Sequence, residues 1–269
     1  MSIQEFDGNF CGLIVPDSRP EVYAPYRATQ NVLSKDQIKQ VVENPDRSPA
    51  MARYDLNWTR SQGRRGSCAG YAASMALGLC RFNVGLPYVP LSGEFVYAQC
   101  NGGRDAGAQL LCTMQTIERV GTCRQDLVKH ESYLKRDISK QATEDAANYK
   151  AFECYRVDDE SELASGLALG FTGVVAVEAS RNWQRVDSNG VSGYSQGSGN
   201  HAVCCCDVRV RKGKIEFQIW NSWGKSFGVN GLAWNTWENH LSQPNRYHAF
   251  YLIRAARDIS GQTAPEIRE

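Results

Sequence analysis

"NHAVCCCDVRVRKGKIEFQIWNSWG", residues 200–224, decides the fold. Two runs rich in β-branched and aromatic residues, 201–210 and 214–221, flank the turn signal "RKG". In the second run Ile215, Phe217 and Ile219 alternate with Glu216, Gln218 and Trp220, which predicts a half-buried strand. A fold-back about residues 211–213 brings position 201 opposite roughly 221–223. His201 and Asn221 then lie side by side at one end of a β unit. A side-chain amide in that place can hold an imidazole in one orientation and one tautomer.

Outward from the hairpin, the second half stays β-rich. "GVVAVEA" (173–179) and "HAFYLIR" (248–254) read as strands, "SNGVSGYSQGSGN" (188–200) as a loop, and "ESELASGLALG" (160–170) as a short amphipathic helix. The first half has the other period. "CAGYAASMALGLCRF" (68–82) is a helix whose small residues allow close burial, and "NVGLPYVPLS" breaks it. "GEFVYAQC" and "AGAQLLCTMQTIERVG" (106–121) predict further helices, the second stopping at Gly121. Before them, "SKDQIKQVVEN" (34–44) is a helical run capped by Ser34 and ended by Pro45 and Pro49. The expectation is an α+β chain. An N-terminal extension, 1–50, wraps on a domain spanning 51–256, with a helical lobe over about 51–150, a β lobe over about 151–256 and a tail at 257–269.

The formal net charge of +1 and the lack of a long basic run suggest neither nucleic acid nor an anionic membrane as a partner. "MSIQEFDGNFCGLIVPDSRP" lacks the regions of a secretory signal, and no segment has the length of a membrane span, so the cytoplasm is the expected compartment. Ten cysteines are too scattered to suggest a disulfide framework, and most are expected to be reduced and buried. Whether Cys100, Cys112 or Cys123 pairs is left open. Zinc spacing is absent, so no metal is expected, and no cofactor.

"SQGRRGSCAGYAAS" (61–74) adds a nucleophile. Cys68 opens the predicted helix, where unpaired N–H groups and the helix dipole favour a thiolate. Gly63 and Gly66 let the chain turn tightly before it. Alone, Cys68 reads as a buried thiol at a helix start. With the lobes facing each other, a Cys–His–Asn arrangement spans their interface, Cys68 attacking and His201 moving the proton.

These blocks resemble the papain-like cysteine peptidases. "QGRRGSC" is similar to that family's nucleophile segment, "NHAV" to its histidine segment and "WNSWGKSFGVNGL" to its Asn-Ser-Trp-Gly block. His201 and Asn221 follow Cys68 by roughly 130 and 150 residues, as in the family. The resemblance implies a two-lobed fold, with the active site in the cleft between a helical lobe and an antiparallel sheet or barrel. It also implies a thiol endopeptidase that acts on peptide or protein substrates through an acyl-enzyme. Gln62 would then donate to the oxyanion, Asn221 would orient His201, and Trp223 would shield their bond. Gly102 and Gly103 of "CNGG" would hold the substrate backbone, with Gly107 as the alternative.

Some positions depart from the family. Arg65 stands where it has a disulfide cysteine, which suits a reducing compartment; Ala69 and Phe227 replace common aromatics. Some fifty N-terminal residues are too few for its usual long propeptide. Either activity is not held back, or the short extension blocks the cleft in another way. Two other readings use the same residues: an isopeptidase or acyl transferase, and an assembly protein, such as a virion component, that retains the fold. His130, His240 and His248 read as structural or surface residues, and the charged run 129–145 as a solvated face or loop.

Overall fold

The computed structural model describes residues 4–6, 8–16, 21–197, 199–241, 250–254 and 256–257. His248 and the tail beyond residue 257 lie outside the described residues. In chain order the elements are β1 (Gln4–Phe6), β2 (Asn9–Cys11), α1 (Lys35–Glu43), α2 (Cys68–Asn83), α3 (Gly93–Cys100), α4 (Leu110–Arg119) and α5 (Lys140–Ala146). They continue with β3 (Lys150–Ala151), β4 (Cys154–Val157), α6 (Glu160–Ala168), β5 (Thr172–Val177), β6 (His201–Arg211), β7 (Lys214–Trp220), β8 (Leu232–Thr236), β9 (Phe250–Ile253) and β10 (Ala256–Arg257).

The hairpin of β6 and β7 organises the second half. Its two turn residues, Lys212 and Gly213, both take positive φ (49° and 71°), as a tight two-residue turn requires. Pairing runs from Arg211 opposite Lys214 to Cys204 opposite Trp220, with a bulge between Cys205 and Asp207. β6 and β7 belong to a six-stranded antiparallel sheet of order β4-β9-β5-β6-β7-β8. The edges β4 and β8 do not pair, so the sheet is open; the barrel that the resemblance allowed is not formed.

β7 is buried on both faces for most of its length, more than its alternation predicts. Glu216 is covered because it pairs with Arg209 and Arg211 of the neighbouring strand. Trp220 is covered by the ring edges of Tyr54 and by Tyr88.

The helical half is built on α2, which is buried from Cys68 to Arg81 and packs on α3, α4, β5 and β6. Such all-round burial needs small residues. A Cβ on Gly70 would lie 2.4 Å from the Gly93 carbonyl oxygen, so glycine lets α3 reach the α2 backbone. A disulfide joins Cys100 of α3 to Cys112 of α4, with Cα atoms 5.7 Å apart. This answers the question left open for Cys100 and Cys112; the other eight cysteines are free, as expected for most of them.

The extension is part of the core. Ser34 and Gln37 form a reciprocal cap on α1. Ile38 is buried where α1 meets α6 and β6, and Tyr26 sets its ring edge-on against Tyr155 and Phe171. No helix among the described residues is long and apolar enough to cross a membrane.

Candidate active site

Three elements meet at the site. α2 begins at Cys68, which puts the thiol at a helix N-terminus as its glycine-flanked turn implies. β6 begins at His201, and β7 ends one residue before Asn221. The hairpin therefore sets the two side by side: His201 Nε2 lies 2.8 Å from Asn221 Oδ1. Asn221 Oδ1 also accepts from the Ser222 N–H at 2.8 Å, which makes that oxygen an acceptor and places the proton on Nε2. Nδ1 is then the basic nitrogen, and it has no hydrogen-bond partner among the described residues. α2 packs against β6, and the Ala202 N–H, one residue on, favours the Cys68 thiolate.

Trp223 lies over the imidazole, ring centroids 4.4 Å apart at 31°. Trp183 meets both, 6.0 Å from His201 and 5.6 Å from Trp223, and Phe227 closes the aromatic group at 4.9 Å from Trp183. Sequence reasoning missed Trp183, which stands in no recognisable block.

Gln62 is buried on the facing segment. Its N–H donates to the Ser222 carbonyl at 2.8 Å, and the Gly224 N–H donates to the Arg60 carbonyl at 2.8 Å, so residues 60–62 and 222–224 tie the two halves together. Arg65 anchors the turn before Cys68 by charge and hydrogen bonds. It reaches Asp105 and the Glu131 carbonyl, both at 3.2 Å, and lies over the Tyr133 ring. Asp105 in turn accepts from the Gly66 N–H and the Tyr97 hydroxyl.

Residues 9–14 run through this site as a strap. The Phe10 carbonyl accepts from Gln62 Nε2 at 3.0 Å and from Trp223 Nε1 at 3.2 Å. The Gly12 N–H meets Cys68 Sγ at 3.3 Å. Further along, the Leu13 N–H donates to the Asn200 carbonyl at 3.0 Å, and Ala108 pairs in parallel with the strap through its N–H to Gly12 and its carbonyl to Ile14. Only glycine fits at position 12: a Cβ there would lie 2.1 Å from the Gly66 oxygen, and one on Gly107 would lie 2.3 Å from the Gly12 oxygen. The chain pairing with the strap is thus Gly107–Ala108. Gly102 and Gly103 lie apart from it, in an exposed turn after α3, with positive φ and open space around them.

Under the strap Cys68 and His201 are fully buried. Burial pushes the Cys68 thiol up, against the backbone N–H groups of Ala202, Gly12 and Ala69. Burial pushes the His201 imidazole down to about 4, against its bond to Asn221. Both directions favour the neutral thiol and neutral imidazole while the site is covered.

His130 and His240 lie elsewhere. His130 pairs with buried Glu94 at 3.1 Å, and His240 is held by the Thr236 N–H and the carbonyls of Ser192 and Gly193. Among the described residues no group of His, Cys, Asp and Glu side chains is arranged to hold a metal ion.

No protein-family model matches the chain. It is similar to the uncharacterized peptidase C1-like protein L477 of Acanthamoeba polyphaga mimivirus, 27% identical over 226 residues, 73% of this chain and 70% of that protein. Its fold is similar to that of xylellain, a cysteine protease from Xylella fastidiosa, with a TM-score of 0.69 and 22% identity over 96% of this chain and 100% of that one. It is also similar to digestive procathepsin L 3 of Tenebrio molitor larval midgut (TM-score 0.63, 16% identity, 88% of this chain and 75% of that one). A third likeness is to the bromelain protease of Ananas comosus (TM-score 0.57, 21% identity, 72% and 92%). The chain has the papain-like fold.

Proposed function

We propose that this papain-like chain is a thiol-dependent endopeptidase that cleaves peptide bonds through a Cys68 acyl-enzyme. The observation that carries the reading is the His201 Nε2–Asn221 Oδ1 bond of 2.8 Å, which leaves Nδ1 as the base at the start of β6, the strand against which the Cys68 helix packs. The peptidase C1-like relative supports it.

In this reading His201 Nδ1 takes the Cys68 proton, and the sulfur attacks the substrate carbonyl carbon. The oxygen gains the negative charge and accepts from Gln62 Nε2 and the Cys68 N–H. Collapse expels the amine, which His201 protonates, and leaves a thioester. Water, giving its proton to His201, then attacks the thioester and releases the acid. Asn221 holds the ring for both transfers, and Trp223 and Trp183 keep water from the His201–Asn221 bond. Cys68 is not activated while covered, because burial favours the neutral pair. Turnover therefore needs the strap to leave. The strap offers Cys68 an N–H and not a carbonyl carbon, so it covers the nucleophile without being presented for cleavage.

The test is an assay of full-length protein on a mixture of unstructured peptides, read by mass spectrometry, in wild type and in Gly12→Val, which cannot seat the strap. The expected result is internal cleavage that is faster in Gly12→Val. Added amine acceptor separates hydrolysis from acyl transfer: amide products in place of acids favour the transferase reading. No cleavage by either protein overturns the endopeptidase assignment.

A further inference from the structure

The Gln62 side-chain nitrogen carries two hydrogens, and both are engaged. One goes to the Phe10 carbonyl of the strap at 3.0 Å, the other to the Arg65 carbonyl at 2.7 Å. Departure of the strap frees the first for a substrate oxygen. The second stays, so the Arg65 carbonyl decides where the freed hydrogen points. Whatever holds the Arg65 peptide therefore bears on the oxyanion.

Glu131, more than sixty residues along the chain, holds it. Its Oε1 accepts from the Arg64 N–H at 2.5 Å, and its carbonyl accepts from Arg65 Nε at 3.2 Å. The carboxylate fills the hollow of the turn at Gly63, where a Cβ would lie 2.2 Å from Oε1. Glu131 takes a φ of 64°, a left-handed backbone that is unfavourable for a residue with a Cβ. Its neighbours keep it there: His130 pairs with buried Glu94 at 3.1 Å, and the Tyr133 carbonyl accepts from Asn101 Nδ2 at 2.6 Å. Past the turn, Asp105 Oδ1 accepts from the Gly66 N–H at 3.0 Å. The segment between Gln62 and Cys68 is thus held by two carboxylates, and Glu131 is the one that grips the Arg64–Arg65 peptides.

We propose that Glu131 is a positioning residue: its carboxylate fixes the turn at 63–65 and, through the Arg65 carbonyl, aims the Gln62 amide at the oxyanion. This rests on the peptidase reading. Loss of the carboxylate leaves Cys68, His201 and Asn221 with their own partners and lets the Gln62 amide turn. Gln62 is needed where charge develops on the oxygen, so the loss falls on the transition state. Two substitutions separate this from a merely structural role. Glycine suits the left-handed backbone better than glutamate does, so Glu131→Gly removes the carboxylate without straining the loop. Glu131→Gln keeps an accepting oxygen for the Arg64 N–H.

The experiment compares Glu131→Gly, Glu131→Gln, Gln62→Ala and the Glu131→Gly, Gln62→Ala pair in the full-length Gly12→Val protein. In Glu131→Gly the thermal midpoint stays within about 2 °C of the parent, kcat falls about 10-fold, and KM stays within about twofold. Glu131→Gln restores kcat to within about threefold of the parent. In the Gln62→Ala background Glu131→Gly costs less than about twofold, because its effect passes through Gln62. An unchanged kcat, a loss confined to KM, a failure of Gln to rescue, or an equal loss without Gln62 overturns the proposal. A second readout needs no turnover: the Arg64 backbone N–H of the otherwise wild-type chain exchanges with solvent at least about 10-fold faster in Glu131→Gly and not in Glu131→Gln. Unchanged exchange in Glu131→Gly overturns the proposal whether or not the protein cleaves peptides. No turnover by the Gly12→Val parent itself would instead strike the peptidase reading.

Discussion

The Gly12 N–H meets the Sγ of Cys68 at 3.3 Å, and on the proposed reading the strap must give up this contact before Cys68 can act. Around it, Gly12 is threaded between Gly66 and Gly107 with no room for a side chain. Gly12→Val cannot keep the strap in place without moving backbone. Labelling of Cys68 by an epoxide thiol reagent, read by peptide mapping, is expected to be about 10-fold faster or more than in wild type, which corresponds to a shift of about 1.4 kcal/mol in the covering equilibrium. Equal labelling would mean that the strap does not control access.

Gln62 tests the oxyanion assignment. Gln62→Ala in the strap-released protein should lower kcat by roughly 10²- to 10³-fold, the usual cost of one such donor, with KM little changed. Steady-state kinetics on one cleaved peptide decide it, and a change confined to KM would place Gln62 in substrate binding instead.

The buried imidazole makes stability depend on pH. His201 is held down to about 4 in the folded protein from an ordinary 6.5, so between these values the unfolded chain binds a proton that the folded one refuses. Its contribution is fully present above about pH 6.5 and is lost as pH falls toward 4. Urea unfolding at several pH values should show wild type losing stability over that window more steeply than His201→Asn. Parallel curves would contradict it.

Ile38 tests whether the extension is structural. The residue is fully buried where α1 meets α6 and β6. Ile38→Ala should destabilise the protein by about 2–5 kcal/mol in chemical denaturation, as for other large-to-small core changes. A loss below about 0.5 kcal/mol, typical of a surface position, would mean that α1 is only laid on the domain.

Much of this was legible in the sequence because it is local. The Lys212–Gly213 turn and the alternation of β7 fix the hairpin, and the hairpin places His201 against Asn221. The glycine-flanked turn before α2 locates Cys68. What stayed hidden depends on contacts between distant segments. Nothing in "GNFCGLIV" marks a strap, because its pairing partner, Ala108, and its steric limits, Gly66 and Gly107, are far along the chain. Gly102 and Gly103 show the converse: a glycine pair reads the same whether it lines a cleft or turns in solvent, and both lie in an exposed turn with open space around them. Cys100 and Cys112 could not be paired from spacing, since only the packing of α3 on α4 brings them together.

The most direct measurement is cleavage of an unstructured protein substrate by Gly12→Val and by Gly12→Val with Cys68→Ala, the two matched for folding by circular dichroism. The account predicts internal cleavage by the first and none by the second. Cleavage that persists without the Cys68 sulfur would contradict it.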